Sequence, residues 1–186
     1  MTTDRDRLLG LLRERSFKRG TFTLTSGATS DFFIDCKKTV LSAEGHALIG
    51  RLMLDATRAL VPDVQIVAGV ELGGCSLASS VALVSFRDGA PLDAIYVRKQ
   101  AKGHGTKKQI EGGDLLLPGT RIVVLEDTVT TGGSTLRAVE VLRESGYVVP
   151  GVVAIVDRLE GGAEAIREAG LGFASIYSRT DFMGDA

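Results

Sequence analysis

The chain has 186 residues, with 22 Lys and Arg against 23 Asp and Glu, so its formal net charge is −1. This balance excludes a globally basic nucleic-acid-binding protein and a polybasic membrane protein, but it leaves local basic clusters open. The length predicts about one domain, and no apolar run approaches the roughly 20 residues that a membrane-spanning helix needs. Glycine is unusually frequent: 23 of the 186 residues are glycine, whereas glycine makes up roughly 7 % of an average chain.

The amino-terminal part of the chain predicts a helix, a hairpin and a second helix. Residues 3–16 carry leucines at helical spacing, with Thr3 or Asp4 able to cap the start. Residues 21–36 predict two short strands around the polar turn SGATS. Residues 43–61 form a long amphipathic helix.

From residue 64 onwards, short apolar runs alternate with helical patterns. Strands are predicted at residues 64–69, 92–97, 121–126, 148–157 and 173–178, and helices at 76–86, 134–146 and 162–170. Near-continuous Val and Ile runs are typical of strands that are buried on both faces. We therefore predict an α/β fold with a central parallel sheet flanked by helices, in which ligands bind at the carboxyl ends of the strands.

The strongest functional signal is the stretch IVVLEDTVTTGGST, at residues 122–135. A buried strand ends on Glu126 and Asp127, and a run of hydroxyls and glycines leads into a helix. Backbone amides, hydroxyls and a helix N-terminus together predict a phosphate site at residues 128–134. The two carboxylates suit vicinal sugar hydroxyls or a hydrated Mg²⁺. The alternative is an acidic strand end before a glycine-rich helix start, without a ligand.

Residues 98–113 form a long, glycine-containing stretch, which we call the basic loop. Its cationic and titratable side chains are Arg98, Lys99, Lys102, His104, Lys107 and Lys108. Because the whole protein is slightly acidic, this cluster is local, and long loops in compact domains are commonly functional. Such cations suit a diphosphate leaving group. A solvated surface loop is the alternative interpretation, and for His104 so is an exposed histidine without a role.

Two further segments are candidates for ligand contact. The hairpin at residues 22–35 carries the aromatic pair Phe32 and Phe33, which by themselves are more simply explained as core residues beneath a turn. Arg158 follows the strand at residues 148–157, where a guanidinium can pair bidentately with a carboxylate. A surface ion pair is the alternative for Arg158.

The amino-terminal segment, MTTDRDRLLG, is charged where a secretory signal would be apolar, so we expect a cytoplasmic protein. Cys36 and Cys75 form no C-x-x-C pair and indicate buried or unreactive thiols. With His46 and His104 as the only histidines, the sequence indicates no zinc site.

The stretch at residues 122–135 resembles the phosphoribosylpyrophosphate (PRPP) signature of type I phosphoribosyltransferases. The pattern R-K-x-A-K-x-H at residues 98–104 resembles the catalytic loop of the orotate phosphoribosyltransferases. The hairpin pattern F-x-L-x-S-G-x-x-S-x-(F/Y)-(F/Y), at residues 22–33, resembles the amino-terminal hood of the same family. The resemblance implies the transfer of phosphoribose from PRPP to orotate, giving orotidine 5′-monophosphate and pyrophosphate in pyrimidine biosynthesis. The PRPP-binding residues that it implies are Arg98, Lys99, Lys102, His104, Glu126, Asp127, Thr128, Val129, Thr130, Thr131, Gly132, Gly133 and Ser134.

The resemblance also implies catalytic roles for Lys102, His104 and Asp127. It implies orotate contacts from Thr130, Arg158, Phe32 and Phe33. It further implies a homodimer with shared active sites, and Mg²⁺ that is bound mainly through PRPP rather than directly by the protein. One domain over residues 1–186 would comprise a small amino-terminal hood at about 17–40, a core at about 43–178 and a mobile catalytic loop at about 98–113.

The loop at residues 68–76, AGVELGGCS, suits the diphosphate, and the resemblance implies a cis peptide bond between Glu71 and Leu72. Some relatives carry lysines at the positions of Thr25 and Gly73, and this chain does not. We therefore expect the positive charge to come from residues 98–108 and from Mg²⁺, which makes PRPP affinity more sensitive to metal and salt.

Two rival functions remain open at this point. A purine or other salvage phosphoribosyltransferase would share the fold, but the hairpin and Arg158 argue against it. A PRPP-sensing transcriptional regulator would keep the phosphate site, but it would need a nucleic-acid-binding surface. The intact basic loop and the net charge of −1 argue against that function.

Overall fold

The computed structural model describes residues 2–23, 29–100, 109–114 and 116–184. Its helices are α1 (Asp4–Arg15), α2 (Lys37–Val40), α3 (Ala43–Leu60), α4 (Gly73–Arg87), α5 (Gly133–Glu144), α6 (Gly162–Glu168) and α7 (Arg179–Met183). Its strands are β1 (Phe17–Thr23), β2 (Thr29–Ile34), β3 (Ile66–Val70), β4 (Asp93–Val97), β5 (Ile110–Glu111), β6 (Arg121–Val129), β7 (Val148–Asp157) and β8 (Gly172–Ser178).

The amino-terminal elements agree with the sequence pattern. Thr3 caps α1 in a capping box with Asp6, and the α1 leucines predicted to face the core are buried. Strands β1 and β2 form the predicted antiparallel hairpin, although β1 begins at Phe17 rather than at residue 21. The hairpin tip, including Thr25, lies outside the described residues.

A six-stranded sheet in the order β5-β4-β3-β6-β7-β8 forms the centre of the described structure. Its strands are parallel except β5, which pairs antiparallel with β4, so the predicted parallel sheet flanked by helices is confirmed. The sequence did not predict β5, because a two-residue pairing carries no periodic signal. The Arg98 amide donates to the Gln109 carbonyl at 2.7 Å, which joins the two described ends of the basic loop.

The apolar runs of the sheet fill two cores, one on each face. Val123 and Leu125 contribute to the core that contains α1, α3 and α4, whereas Ile122 and Val124 contribute to the core that contains α5 and α6. This alternation explains why the strand sequence is continuously apolar. The short helix α7 was not predicted, and its Phe182 ring packs against the hairpin, 5.5 Å from the Phe17 ring.

Strands β3 and β6 lie side by side at the centre of the sheet, but the chain leaves them in opposite directions. From β3 it continues through α4 to β4, and from β6 it continues through α5 to β7. Such a divergence opens a crevice at the carboxyl ends of the two strands. In the part of the chain that the structure describes, no helix has both the length and the apolar character needed to cross a membrane.

Close packing between β6 and the start of α4 predicts the effect of an added methyl group. A Cβ at Gly74 would lie 2.4 Å from the Leu125 carbonyl oxygen, whereas a Cβ at Gly10, inside α1, would meet nothing within 4 Å. We expect Gly74→Ala to lower the free energy of unfolding by about 1–3 kcal/mol. Gly10→Ala should raise it by about 0.5–1 kcal/mol. Denaturant unfolding of both variants measures the difference, and a Gly74→Ala protein as stable as the parent would contradict it.

Candidate active site

The crevice at the carboxyl ends of β3 and β6 forms where β6 continues past the last residue that pairs with β3. Pairing between β3 and β6 ends at Gly69 and Leu125, whereas β6 remains paired with β7 as far as Val129. Glu126 and Asp127 therefore lie within β6, beyond the last β3 partner, and not at the strand end that the sequence predicted at residue 126. The extension follows from β7, which supplies hydrogen-bond partners over this length.

Glu126 is a buried carboxyl group with one clear partner. It is only 6 % exposed, and the Thr135 hydroxyl donates a hydrogen bond to its Oε1 at 3.0 Å. Burial, together with the neighbouring charge of Asp127, raises the pKa of Glu126 to about 8. The sequence grouped Thr135 with the other loop hydroxyls, but its side chain is itself buried and holds Glu126.

Asp127 lies close to the loop that follows β3. Its Oδ1 accepts a hydrogen bond from the Thr128 amide at 2.8 Å. Burial raises the pKa of Asp127, and the positive charge of Lys37 opposes this effect. A Cβ at Gly73 would lie 2.3 Å from Asp127 Oδ2. A lysine at position 73 would therefore displace this carboxylate, which gives a physical reason for glycine there.

The two carboxylates line a cavity of about 330 Å³, which we call the site cavity. Its lining residues are Lys37, Val70, Glu71, Leu72, Gly73, Lys99, Glu126, Asp127, Thr128 and Ser134. The cis peptide bond expected between Glu71 and Leu72 is present, so that prediction is confirmed.

Next to the site cavity, residues 128–134 form the phosphate loop around a cavity of about 580 Å³. Gly132 has a φ of +78° and caps α5 without a side-chain hydrogen bond. Glycine suits this left-handed conformation, and the first amides of α5 remain available to an anion. Arg137, one turn into α5, also lines this cavity. Sequence reasoning missed Arg137, although its helical spacing from Gly133 could have indicated it.

The basic loop is described only at its two ends. Arg98 Nη1 lies 2.9 Å from Glu111 Oε1, and the Lys99 amide donates to Glu71 Oε2 at 3.1 Å. Lys99 also lines the site cavity. The predicted residues Lys102 and His104, together with Lys107 and Lys108, lie outside the described residues.

Arg158 connects the end of β7 to the hairpin. Its guanidinium is buried, donates to the Ser30 hydroxyl at 3.1 Å and to the Phe32 carbonyl at 3.3 Å, and pairs with Glu160 at 2.7 Å. Its backbone amide donates to the Val129 carbonyl at 3.0 Å, which sets it beside the phosphate loop and Thr130. The alternative interpretation was a surface ion pair; Arg158 does pair with Glu160, but its own side chain is only 11 % exposed.

The two hairpin aromatics occupy different environments. The Phe32 side chain is 0 % exposed and lies beneath the Arg158 guanidinium, at 5.5 Å from its ring centroid. The ring is therefore not exposed for stacking on a ligand, and it also packs against the rings of Phe17 and Phe182. Phe33 is 37 % exposed, and its ring packs 5.3 Å from that of Phe22.

Cys36 is buried behind the phosphate loop, and its thiol lies 3.7 Å from the Thr128 hydroxyl. Burial raises the pKa of Cys36 to about 12, so the thiol stays protonated at neutral pH. Both cysteines are free, as expected. Within the described ranges, no group of three or more His, Cys, Asp or Glu side chains is placed to hold a metal ion.

The site can hold an anion and a hydroxylated group side by side. The phosphate loop offers helix amides and Arg137, the adjacent carboxylates accept hydrogen bonds from hydroxyls, and Arg158 is a buried cation at the next strand end. This combination of groups is suited to a phosphorylated sugar bound beside a second anionic reactant.

Comparisons with known proteins agree with this chemistry. The sequence model of the phosphoribosyl transferase domain family matches residues 43–174. The orotate phosphoribosyltransferase of Sorangium cellulosum is 59 % identical over 183 residues, covering 98 % of this chain and 95 % of that protein.

Solved structures give the same relationship. The orotate phosphoribosyltransferase of Mycobacterium tuberculosis in complex with Fe(III) dicitrate superposes with a TM-score of 0.83 at 39 % identity, covering 97 % of this chain and 99 % of that chain. The same enzyme in complex with PRPP superposes with a TM-score of 0.79 at 36 % identity, with the same coverage. The chain therefore belongs to the phosphoribosyltransferase family and, within it, to the orotate phosphoribosyltransferases.

Proposed function

We propose that the protein transfers the phosphoribosyl group of PRPP to orotate and releases pyrophosphate, as an orotate phosphoribosyltransferase. The observation that carries this proposal is the strand–helix connection in which Glu126 and Asp127 directly precede the phosphate loop. The phosphate loop is suited to the 5′-phosphate, and the two carboxylates to the ribose 2′- and 3′-hydroxyls. Relatives that carry the name orotate phosphoribosyltransferase match 98 % of the chain.

In the proposed reaction, the anomeric carbon forms a bond to a ring nitrogen of orotate as its bond to pyrophosphate breaks. The protein holds the ribose through Glu126 and Asp127, so that the reacting atoms are aligned. Once they are ionised, carboxylates close to the ring also favour a transition state with positive charge on the sugar. The proton on that ring nitrogen leaves as the bond forms, and the departing pyrophosphate is a base that can accept it, so the reaction needs no strong general base from the protein.

The departing diphosphate requires positive charge. Lys99 lines the site cavity, and Arg98 lines an adjoining cavity that shares Lys99 and Ser134 with it. We propose that both meet the diphosphate, and that Lys102 and His104 join them when the basic loop closes and excludes water. A hydrated Mg²⁺ suits the space beside Glu126 and Asp127, since carboxylate oxygens are the ligands it prefers. When bound with PRPP, Mg²⁺ neutralises charge on the diphosphate.

Orotate would bind between the phosphate loop and the hairpin. Arg158 is suited to the orotate carboxylate, with Thr130 beside it and Phe33 at the exposed side of the hairpin. Glu160 already occupies part of the Arg158 guanidinium, so the substrate carboxylate must share or replace this ion pair. We also propose a homodimer in which the basic loop serves the neighbouring site, as the resemblance implies.

A panel of bases tests the proposed function. The protein is incubated with PRPP, Mg²⁺ and orotate, uracil, adenine or guanine in turn, and base consumption is followed by absorbance. We expect turnover with orotate. Turnover with a purine and none with orotate would indicate a purine salvage phosphoribosyltransferase. No turnover with any base would favour the alternative function, a PRPP-sensing transcriptional regulator.

Arg158 should control the preference for a base that carries a carboxylate. Uracil lacks the carboxylate of orotate, so loss of the guanidinium should affect only orotate. We expect Arg158→Gln to lower kcat/KM for orotate by about 100-fold, as expected for a lost charged hydrogen bond, and to leave that for uracil nearly unchanged. Arg167, an exposed arginine of α6, provides the matched control. Equal losses for both bases in Arg158→Gln would contradict the assignment.

Lys102 should act on the chemical step. We expect Lys102→Ala to lower kcat by about 100-fold, because a cation that meets developing negative charge acts mainly in the transition state. The KM for orotate should change far less, since orotate does not contact this side chain in the proposal. Steady-state kinetics at saturating PRPP and Mg²⁺ measure both constants, and an unchanged kcat would overturn the role of the loop.

A further inference from the structure

A lysine that the sequence motifs do not include lines the site cavity. Lys37 is the first residue of α2, directly after the hairpin, and it borders the cavity together with Gly73, Lys99 and Asp127. Its Nζ lies 2.7 Å from Asp35 Oδ1, and its side chain is 45 % exposed. The ammonium group is therefore held at the edge of the cavity by one acidic neighbour and remains accessible to solvent.

The charges around the cavity call for such a cation. The carboxylates that line it belong to Glu71, Glu126 and Asp127, and the cations among its lining residues are Lys37 and Lys99. The charge of Lys99 opposes the rise in the pKa of Glu126, and the charge of Lys37 opposes the rise in the pKa of Asp127. Positive charge on the walls that a diphosphate contacts would reduce its repulsion by these carboxylates.

In this chain the loop after β3 supplies no cation on the Asp127 side. Position 73 is glycine, and a Cβ there would lie 2.3 Å from Asp127 Oδ2, so a longer side chain would have to displace that carboxylate. Lys37 reaches the same region from another element of the fold. Lys37 therefore adds to the positive charge that is expected to come mainly from residues 98–108 and Mg²⁺.

We propose that Lys37 is a diphosphate-binding residue, which turns from Asp35 to donate hydrogen bonds to the diphosphate of PRPP and to product pyrophosphate. This role rests on the proposed function and deepens it. A lysine is suited to it, because its flexible stem carries a compact charge with three donors. Asp35 would hold the ammonium group in place before the substrate arrives.

Ligand binding measured by calorimetry separates this role from a structural one. Three ligands are titrated in the presence of Mg²⁺: PRPP, pyrophosphate and ribose 5-phosphate, which lacks the diphosphate. We expect Lys37→Met to weaken PRPP and pyrophosphate by about 10- to 100-fold, the range for a charged hydrogen bond, and to leave ribose 5-phosphate within about twofold. Lys37→Arg should recover most of the affinity.

Lys38 provides a matched control, because it follows Lys37 in α2 and is exposed, but does not line the site cavity. Lys38→Met should bind all three ligands like the parent protein. Weaker ribose 5-phosphate binding in Lys37→Met would show that Lys37 acts by positioning Asp127, and unchanged pyrophosphate binding would show that it has no role. Either result overturns the proposal.

Failure of the proposed function would be visible separately. The parent protein would then show no turnover of orotate with PRPP, whatever the behaviour of Lys37→Met. A parent protein that turns over orotate, with pyrophosphate affinity that does not depend on Lys37, would instead reject the role of Lys37 alone.

Discussion

The site depends on two neighbouring carboxyl groups that are kept in the protein interior. Placing Glu126 and Asp127 side by side on a buried strand is unfavourable, because each loses water and the charge of Asp127 opposes the ionisation of Glu126. The pKa of Glu126, raised to about 8, expresses that cost. Both groups lie beyond the last residue of β6 that pairs with β3, and both line the site cavity there.

The surrounding structure compensates these two groups. Thr135 donates a hydrogen bond to Glu126, the Thr128 amide donates to Asp127, and Lys99 and Lys37 supply positive charge nearby. Gly73 lets the loop after β3 approach the Asp127 carboxylate closely. The high glycine content of the chain thus has a local explanation here, since the backbone approaches a charged group where a side chain would not fit.

Much of this arrangement could be predicted from the sequence, because it follows from local patterns. Apolar runs separated by helical segments predicted the parallel sheet, and the order of acids, hydroxyls and glycines at residues 126–134 predicted the site. The cis peptide bond at Glu71 and Leu72 was also predicted, from the family resemblance. Arg158 was correctly located at a strand end, although its ties to the hairpin were not foreseen.

The remaining features depend on contacts between distant segments. The extension of β6 to Val129 needs β7, and the position of Lys37 at the cavity needs the hairpin to dock beside the sheet. Phe32 was expected at the ligand, but its ring is buried, because an aromatic pair in a strand does not reveal which ring faces the core. Helices α2 and α7 are too short for a periodic signal.

The proposed reaction requires the buried Glu126 to ionise when it holds the ribose of PRPP. Below its pKa of about 8 the group is mostly protonated, so binding of PRPP that carries Mg²⁺ should release protons. Calorimetry at pH 7 in buffers of different ionisation enthalpy measures this release. The account predicts a release that Glu126→Gln lowers by close to one proton per site, and equal release from the two proteins would contradict it.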